Sequence, residues 1–252
     1  MIREHAQKSL LAPEKNFRWR ATEITRLEGF TDAVFAFAVT LLVVSLEVPR
    51  TYSELVLAMK GFVAFAICFA ILVWIWHEHY IFSRRYGLQT GYTVFLNSVL
   101  LFVALFYVYP LKFVFTVLVG TFWGSTLPAK LNDMINIHQA GSLMMIYSLG
   151  FTAVFGVFAL LYGYAYRNRA ELDLNEYETL VTRKSVIDHT AMAFLGTVIA
   201  IIAKLLPPNL AGGAGYLFSL IGVYHGVAGS IFGKKEKLAL ERVNAGQQSP
   251  GV

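Results

Sequence analysis

Glu28–Val48 reads EGFTDAVFAFAVTLLVVSLEV, a run of 21 residues whose only charged groups are Glu28, Asp32 and Glu47. The hydrocarbon core of a bilayer takes about 20 such residues per helix, so this stretch is a first membrane span. Five more follow: Leu57–Trp76, Thr93–Val119, Gly141–Tyr166, Val186–Leu206 and Leu210–Phe232. The third is interrupted by Pro110 and Lys112 and is too long for a perpendicular crossing. The expectation is a kink at Pro110, or an end there with an interfacial continuation over Thr116–Trp123.

The whole composition agrees. Of 252 residues, 56% are hydrophobic and 15% charged, with 20 Phe, 13 Tyr, 7 Pro and a mean hydropathy of +0.56. Soluble domains carry roughly 25% charged residues, so a typical cytosolic enzyme, a disordered chain and a collagen-like repeat are excluded. A single cysteine, Cys68, leaves no intrachain disulfide and no cysteine-based zinc site. The expected fold class is an all-α membrane protein with six transmembrane helices. A basic cytoplasmic arm (1–26) precedes the membrane domain (27–232), and a polar, disordered cytoplasmic tail (233–252) follows it. No signal peptide is expected, because the first 26 residues are basic and polar.

Charge sets the orientation. Sixteen Lys and Arg fall in the arm, the loops after spans two and four, and the tail, against three (Arg50, Lys60, Lys130) in the other loops. The positive-inside rule then places both termini of an integral membrane protein in the cytoplasm. The net charge of +5 is explained by that rim, and nucleic acid is not expected as a partner.

Ionisable groups within spans are functional candidates by default. Asp32 stands about one turn into span one, with Glu28 four residues before it. Span two returns to the same depth at Trp74, Trp76, His77, Glu78 and His79, and span three places Asn97 there. Arg26, Asp32, His77 and Asn97 are therefore expected to form one buried cluster that latches the first helix to its own subunit, a role favoured for Asp32 over that of a substrate ligand. Simple interhelical stapling explains the histidines and Asn97 equally well. His77 and His79 are two apart and face away from each other on a helix, so no metal site is expected, and no cofactor.

At 100° per residue, Ala33, Leu41, Val44 and Val48 fall within about 40° of Phe37, and Thr40 within about 60°, whereas Asp32 lies about 140° away. One face is thus an apolar stripe with a single hydroxyl and another carries the carboxylates. Such a stripe suits a pore-lining helix, although an apolar stripe alone more often faces lipid or core.

The segment Arg26-Leu-Glu-Gly-Phe30-Thr31-Asp32, followed by AVFAFAVTLL, resembles the first-helix signature of the transmembrane-protein-175 potassium channels, Arg-x-x-x-Phe-Ser-Asp. Arg26, Phe30 and Asp32 match, and Thr31 keeps the hydroxyl of Ser. Trp74-x-x-His77, Asn97 and Pro110 extend the likeness; beyond residue 120 it rests on topology. The resemblance implies a homotetramer of single-repeat, six-span subunits, with first helices lining a central pore. It carries the constriction onto Phe37, Leu41 and Val44, with Thr40 as a polar ring. The Thr-Val-Gly-Tyr-Gly carbonyl filter of other potassium channels is absent from this sequence. Phe37 departs from the Ile or Leu usual at the tightest position, with Val44 a possible compensation at the next ring. The implied function is passive K+ permeation, with K+, membrane lipid and further copies of the chain as partners. The alternative reading is a proton-coupled transporter using Asp32, Glu28 and the histidines; an intramembrane enzyme ranks last, for want of a paired nucleophile and base.

Overall fold

A computed structural model describes residues 16–21, 23–44, 49–123 and 135–247. Arg3, Lys8, Lys15, Val48, Lys130 and residues 248–252 lie outside them. The described residues form helices and no strands: α1 (Arg26–Val44), α2 (Tyr52–Lys60), α3 (Phe62–Tyr86), α4 (Gly91–Trp123), α5 (Ile137–Arg167), α6 (Glu176–Leu205), the short α7 (Pro208–Ala211), a 3-10 segment (Gly212–Ser219) and α8 (Leu220–Gln247). Six stretches are long and apolar enough to cross a membrane: α1, α3, α4, α5, α6 and the run from Pro208 to Ala245.

The second span departs from expectation in register. Gly61 breaks the helix after Lys60, and α3 then runs on past Trp76 to Tyr86. Its stop is Gly87, whose φ of 58° lies in the left-handed region that glycine alone enters without strain. The Gly87 N–H donates to the Ser83 carbonyl at 2.9 Å, and Arg84 and Arg85 sit favourably in the last turn. The third span does not end at Pro110. α4 continues through it to Trp123, and 33 residues at 1.5 Å each give a rod of about 50 Å, which exceeds the hydrocarbon thickness. The tail is also corrected: residues 233–247, expected as disordered, are the second half of α8.

α5 and α6 form the tightest pair. Asn136 and Asn175 begin them with reciprocal capping boxes, to Gln139 and Glu178. At Gly196 an added Cβ would meet Thr152 Oγ1 at 2.6 Å and Phe151 Cδ1 at 2.9 Å, so only glycine allows this approach. By contrast, the Gly222-x-x-x-Gly226 spacing of α8 meets nothing within 4 Å in one chain. The main core joins Phe35, Ala38 and Leu42 of α1 to Cys68 and Leu72 of α3, Leu100 of α4 and Phe158 of α5. α8 buries only Ala228 and Ala239 among its apolar residues. α1 is therefore an integral wall of the bundle, and α8 lies at its edge.

A candidate pore helix and its fastenings

α1 has two faces with the same spacing. Glu28, Thr31, Phe35, Ala38 and Leu42 are buried against α3 and α4. Two positions on, about 200° around the helix, Phe30, Ala33, Phe37, Thr40 and Val44 are exposed, with Phe37 at 56% and Val44 at 71%. Leu41, assigned to the same stripe, is half-buried at its flank. The Thr40 hydroxyl donates to the Ala36 carbonyl at 2.9 Å, which commits its proton to the helix and leaves its oxygen lone pairs outward.

The buried face is fastened by two separate polar contacts, with a third behind it between α3 and α4, rather than by one cluster. Trp76 Nε1 donates to Asp32 Oδ1 at 2.8 Å. Arg84 Nε lies 3.2 Å from Glu28 Oε1, both side chains largely buried. His79 Nε2 and Asn97 Oδ1 are 3.0 Å apart and buried, tying α3 to α4 behind α1. Thr31 is fully buried and donates to its own helix at Leu27.

Asp32 and Asn97 therefore each find a polar partner, Trp76 and His79, in place of the expected cluster, and Arg26 and His77 take no part in either contact. Arg26 is exposed and makes no ion pair among the described residues; it precedes Glu28 by two positions, on the other side of the helix. His77 is also exposed, and lines a separate cavity of about 410 Å³ between α3, α5, α6 and α8. There it is accompanied by Glu78, Asp188 and His189; Asp188 accepts from the Tyr224 hydroxyl at 2.8 Å, and Lys184 pairs with Glu236 at 3.0 Å. Trp76 and Arg84 take the two vacated roles. Eight residues, just over two turns of α3, separate Arg84 from Trp76, so both point to α1 from one side.

A further fastening was not anticipated. Residues 16–21 cross the end of the bundle, and Glu178, wholly buried at the start of α6, gathers them. Its carboxylate accepts from the Arg18 main-chain N–H at 2.8 Å, from Arg18 Nη2 at 2.9 Å and from Arg20 Nη2 at 2.8 Å. The two acceptors Glu178 and Asp173 hold the Arg18 guanidinium firmly protonated. Arg20 and Ala21 N–H groups donate to the Arg84 carbonyl at 3.1 and 3.3 Å, so the segment leading into α1 is pinned at both α3 and α6. The Asn175-x-x-Glu178 capping pattern was the one sequence signal pointing to Glu178.

The family described as "Endosomal/lysosomal potassium channel TMEM175" matches residues 26–107, the stretch from the start of α1 into α4. A protein of Marivirga tractuosa described as a potassium channel is 39% identical over 235 residues, covering 90% of this chain and 94% of that protein. A crystal structure of a threonine-to-alanine variant of the potassium channel MtTMEM175, bound to a nanobody–MBP fusion, superposes with a TM-score of 0.77 at 38% identity. It covers 89% of this chain and all of that one. A lysosomal potassium-selective channel TMEM175 homolog from Chamaesiphon minutus shares the fold, with a TM-score of 0.53 at 21% identity, covering 82% of this chain and 99% of the other.

Proposed function

Because the chain belongs to the TMEM175 potassium-channel family, we propose that it is a K+-permeable channel whose path is lined by α1 from four copies of the chain. The observation that carries this reading is the division of α1. Its polar groups are held inward by Trp76 and Arg84, while Phe30, Phe37, Thr40 and Val44 stand uncovered on the opposite face. Arranged about a shared axis, that face makes stacked apolar rings at Phe37 and Val44, flanked by Leu41, around a ring of Thr40 hydroxyls. Such a path has no cage of carbonyl oxygens. It gates by excluding water from the constriction and discriminates by the cost of stripping the ion, so K+, the more weakly hydrated cation, is preferred to Na+ modestly.

Both termini lie in the cytoplasm in this reading, from the concentration of Lys and Arg at one end of the bundle. The chain performs no chemistry on its ion and has no enzymatic role. Carrier-type proton coupling through Glu28 and Asp32 is disfavoured, because each carboxylate is already occupied on the side away from the path. Single-channel recording of reconstituted protein with K+ on one side and Na+ on the other is the test. A reversal potential favouring K+ is expected; one at or beyond the Na+ side sinks the proposal.

A further inference from the structure

α6 and α8 run antiparallel at the basic end of the bundle, and each turns one helical stripe to a shared cleft of about 320 Å³. Glu176, Thr179, Leu180 and Arg183 come from α6; Lys235, Leu238, Ala239 and Arg242 come from α8 at the same spacing of three, four and seven. At the outer end Arg242 Nη1 pairs with Glu176 Oε1 at 2.9 Å. At the inner end the register opposes Arg183 to Lys235. Both are exposed, and neither makes an ion pair among the described residues; Lys235 Nζ lies over the Phe232 ring, 5.7 Å from its centre. Two like charges facing each other across a cleft repel, which favours an anion between them.

What lies beneath identifies the anion. One turn further into the membrane, Arg183 is followed on its face by Ile187 and then Phe194, 39% and 70% exposed, and Lys235 is preceded by Ile231 and Val227, 51% and 56% exposed. The charged slot therefore opens on an apolar track at the depth where headgroup meets acyl chain. Basic clefts between membrane helices on the cytoplasmic side are suited to anionic lipid headgroups. We propose that this cleft binds an anionic phospholipid, its phosphate between Arg183 and Lys235 and an acyl chain along Ile187 and Ile231.

The site stands apart from α1, so its test is independent of ion permeation. Purified full-length protein is incubated in detergent with phosphatidylglycerol, phosphatidylcholine or soluble glycerol phosphate, and retained adducts are counted by native mass spectrometry. Phosphatidylglycerol alone should be retained, and the double variant R183Q/K235Q should retain it about thirtyfold less, given roughly one surface cation's attraction lost at each of two positions. The control K234Q/K237Q removes equal charge from exposed positions of α8 outside the cleft and should leave retention unchanged. Equal retention of phosphatidylcholine, equal retention of glycerol phosphate, or undiminished binding by R183Q/K235Q would each overturn the assignment.

Discussion

The contact between Trp76 Nε1 and Asp32 Oδ1 makes a sharp distinction between replacements that look alike. Asp32→Asn keeps an acceptor for the indole, whereas Asp32→Ala leaves the Trp76 N–H without one in a half-buried position. A hydrogen bond to a charged group contributes about 1.5–3 kcal/mol, so Asp32→Ala and Trp76→Phe should both lower thermal stability and the yield of assembled protein, and Asp32→Asn much less. Size-exclusion profiles and melting curves check this; Asp32→Ala with normal assembly but changed ion preference would make Asp32 a path residue instead. On the opposite face, Phe37→Ala removes the bulkiest apolar group of the uncovered stripe and should raise basal K+ flux in a liposome assay. Unchanged flux would place Phe37 against lipid. The stripe itself was readable from residue angles, because exposure on α1 follows helical phase at Phe37, Thr40 and Val44. The partners of the carboxylates were not. His77 and His79 differ by about 200° around α3, as do Arg26 and Glu28 around α1, and choosing between such neighbours needs the rotation of each helix about its axis.

At the scale of elements, six spans followed from hydropathy alone, and their boundaries failed where local backbone chemistry overrode it. Gly61 and Gly87 reset the second span by about ten residues at its end, and α4 keeps its helix through Pro110 although one backbone hydrogen bond is missing there. The α5–α6 pair offers a direct measurement. Gly196→Val would drive methyl groups into Thr152 and Phe151, and overpacking of this kind costs about 1–3 kcal/mol, visible as a lowered melting temperature. Gly222→Ala has open space around its Cβ in the single chain and should leave the subunit's fold intact. The brace at Glu178 is a contact across 160 residues of sequence, beyond the reach of any periodicity. Glu178→Gln keeps the shape but removes the charge that gathers Arg18 and Arg20, and Arg18 is half exposed, so the loss amounts to about 1–2 kcal/mol after solvent screening. Limited trypsin digestion should then cut after Arg18 or Arg20 faster than in the parent; equal rates would show that the Arg84 carbonyl contacts suffice to hold the segment.

Among the described residues, the face of α1 proposed to line a passage lies on the outside of a single copy. In the proposed assembly the apolar rings would form between copies, and the inward fastenings would set how rigidly each copy offers its α1: Trp76 and Arg84 from α3, and the brace from α6 to residues 16–21. Function and assembly are consequently coupled in one direction. Weakening a fastening should reduce the number of complete assemblies without altering the ion preference of those that form, whereas altering the stripe should change permeation in assemblies of normal size. Thr40→Val tests the second half of that statement. It preserves volume while deleting the one oxygen on the stripe, whose lone pairs are free because its proton is held by Ala36. Assemblies of unchanged mass by light scattering should show a smaller K+ conductance and a reversal potential moved toward zero in K+/Na+ bi-ionic recordings. If instead mass falls and permeation per assembly stays constant, Thr40 belongs to a contact between copies and the polar ring must be sought elsewhere on α1.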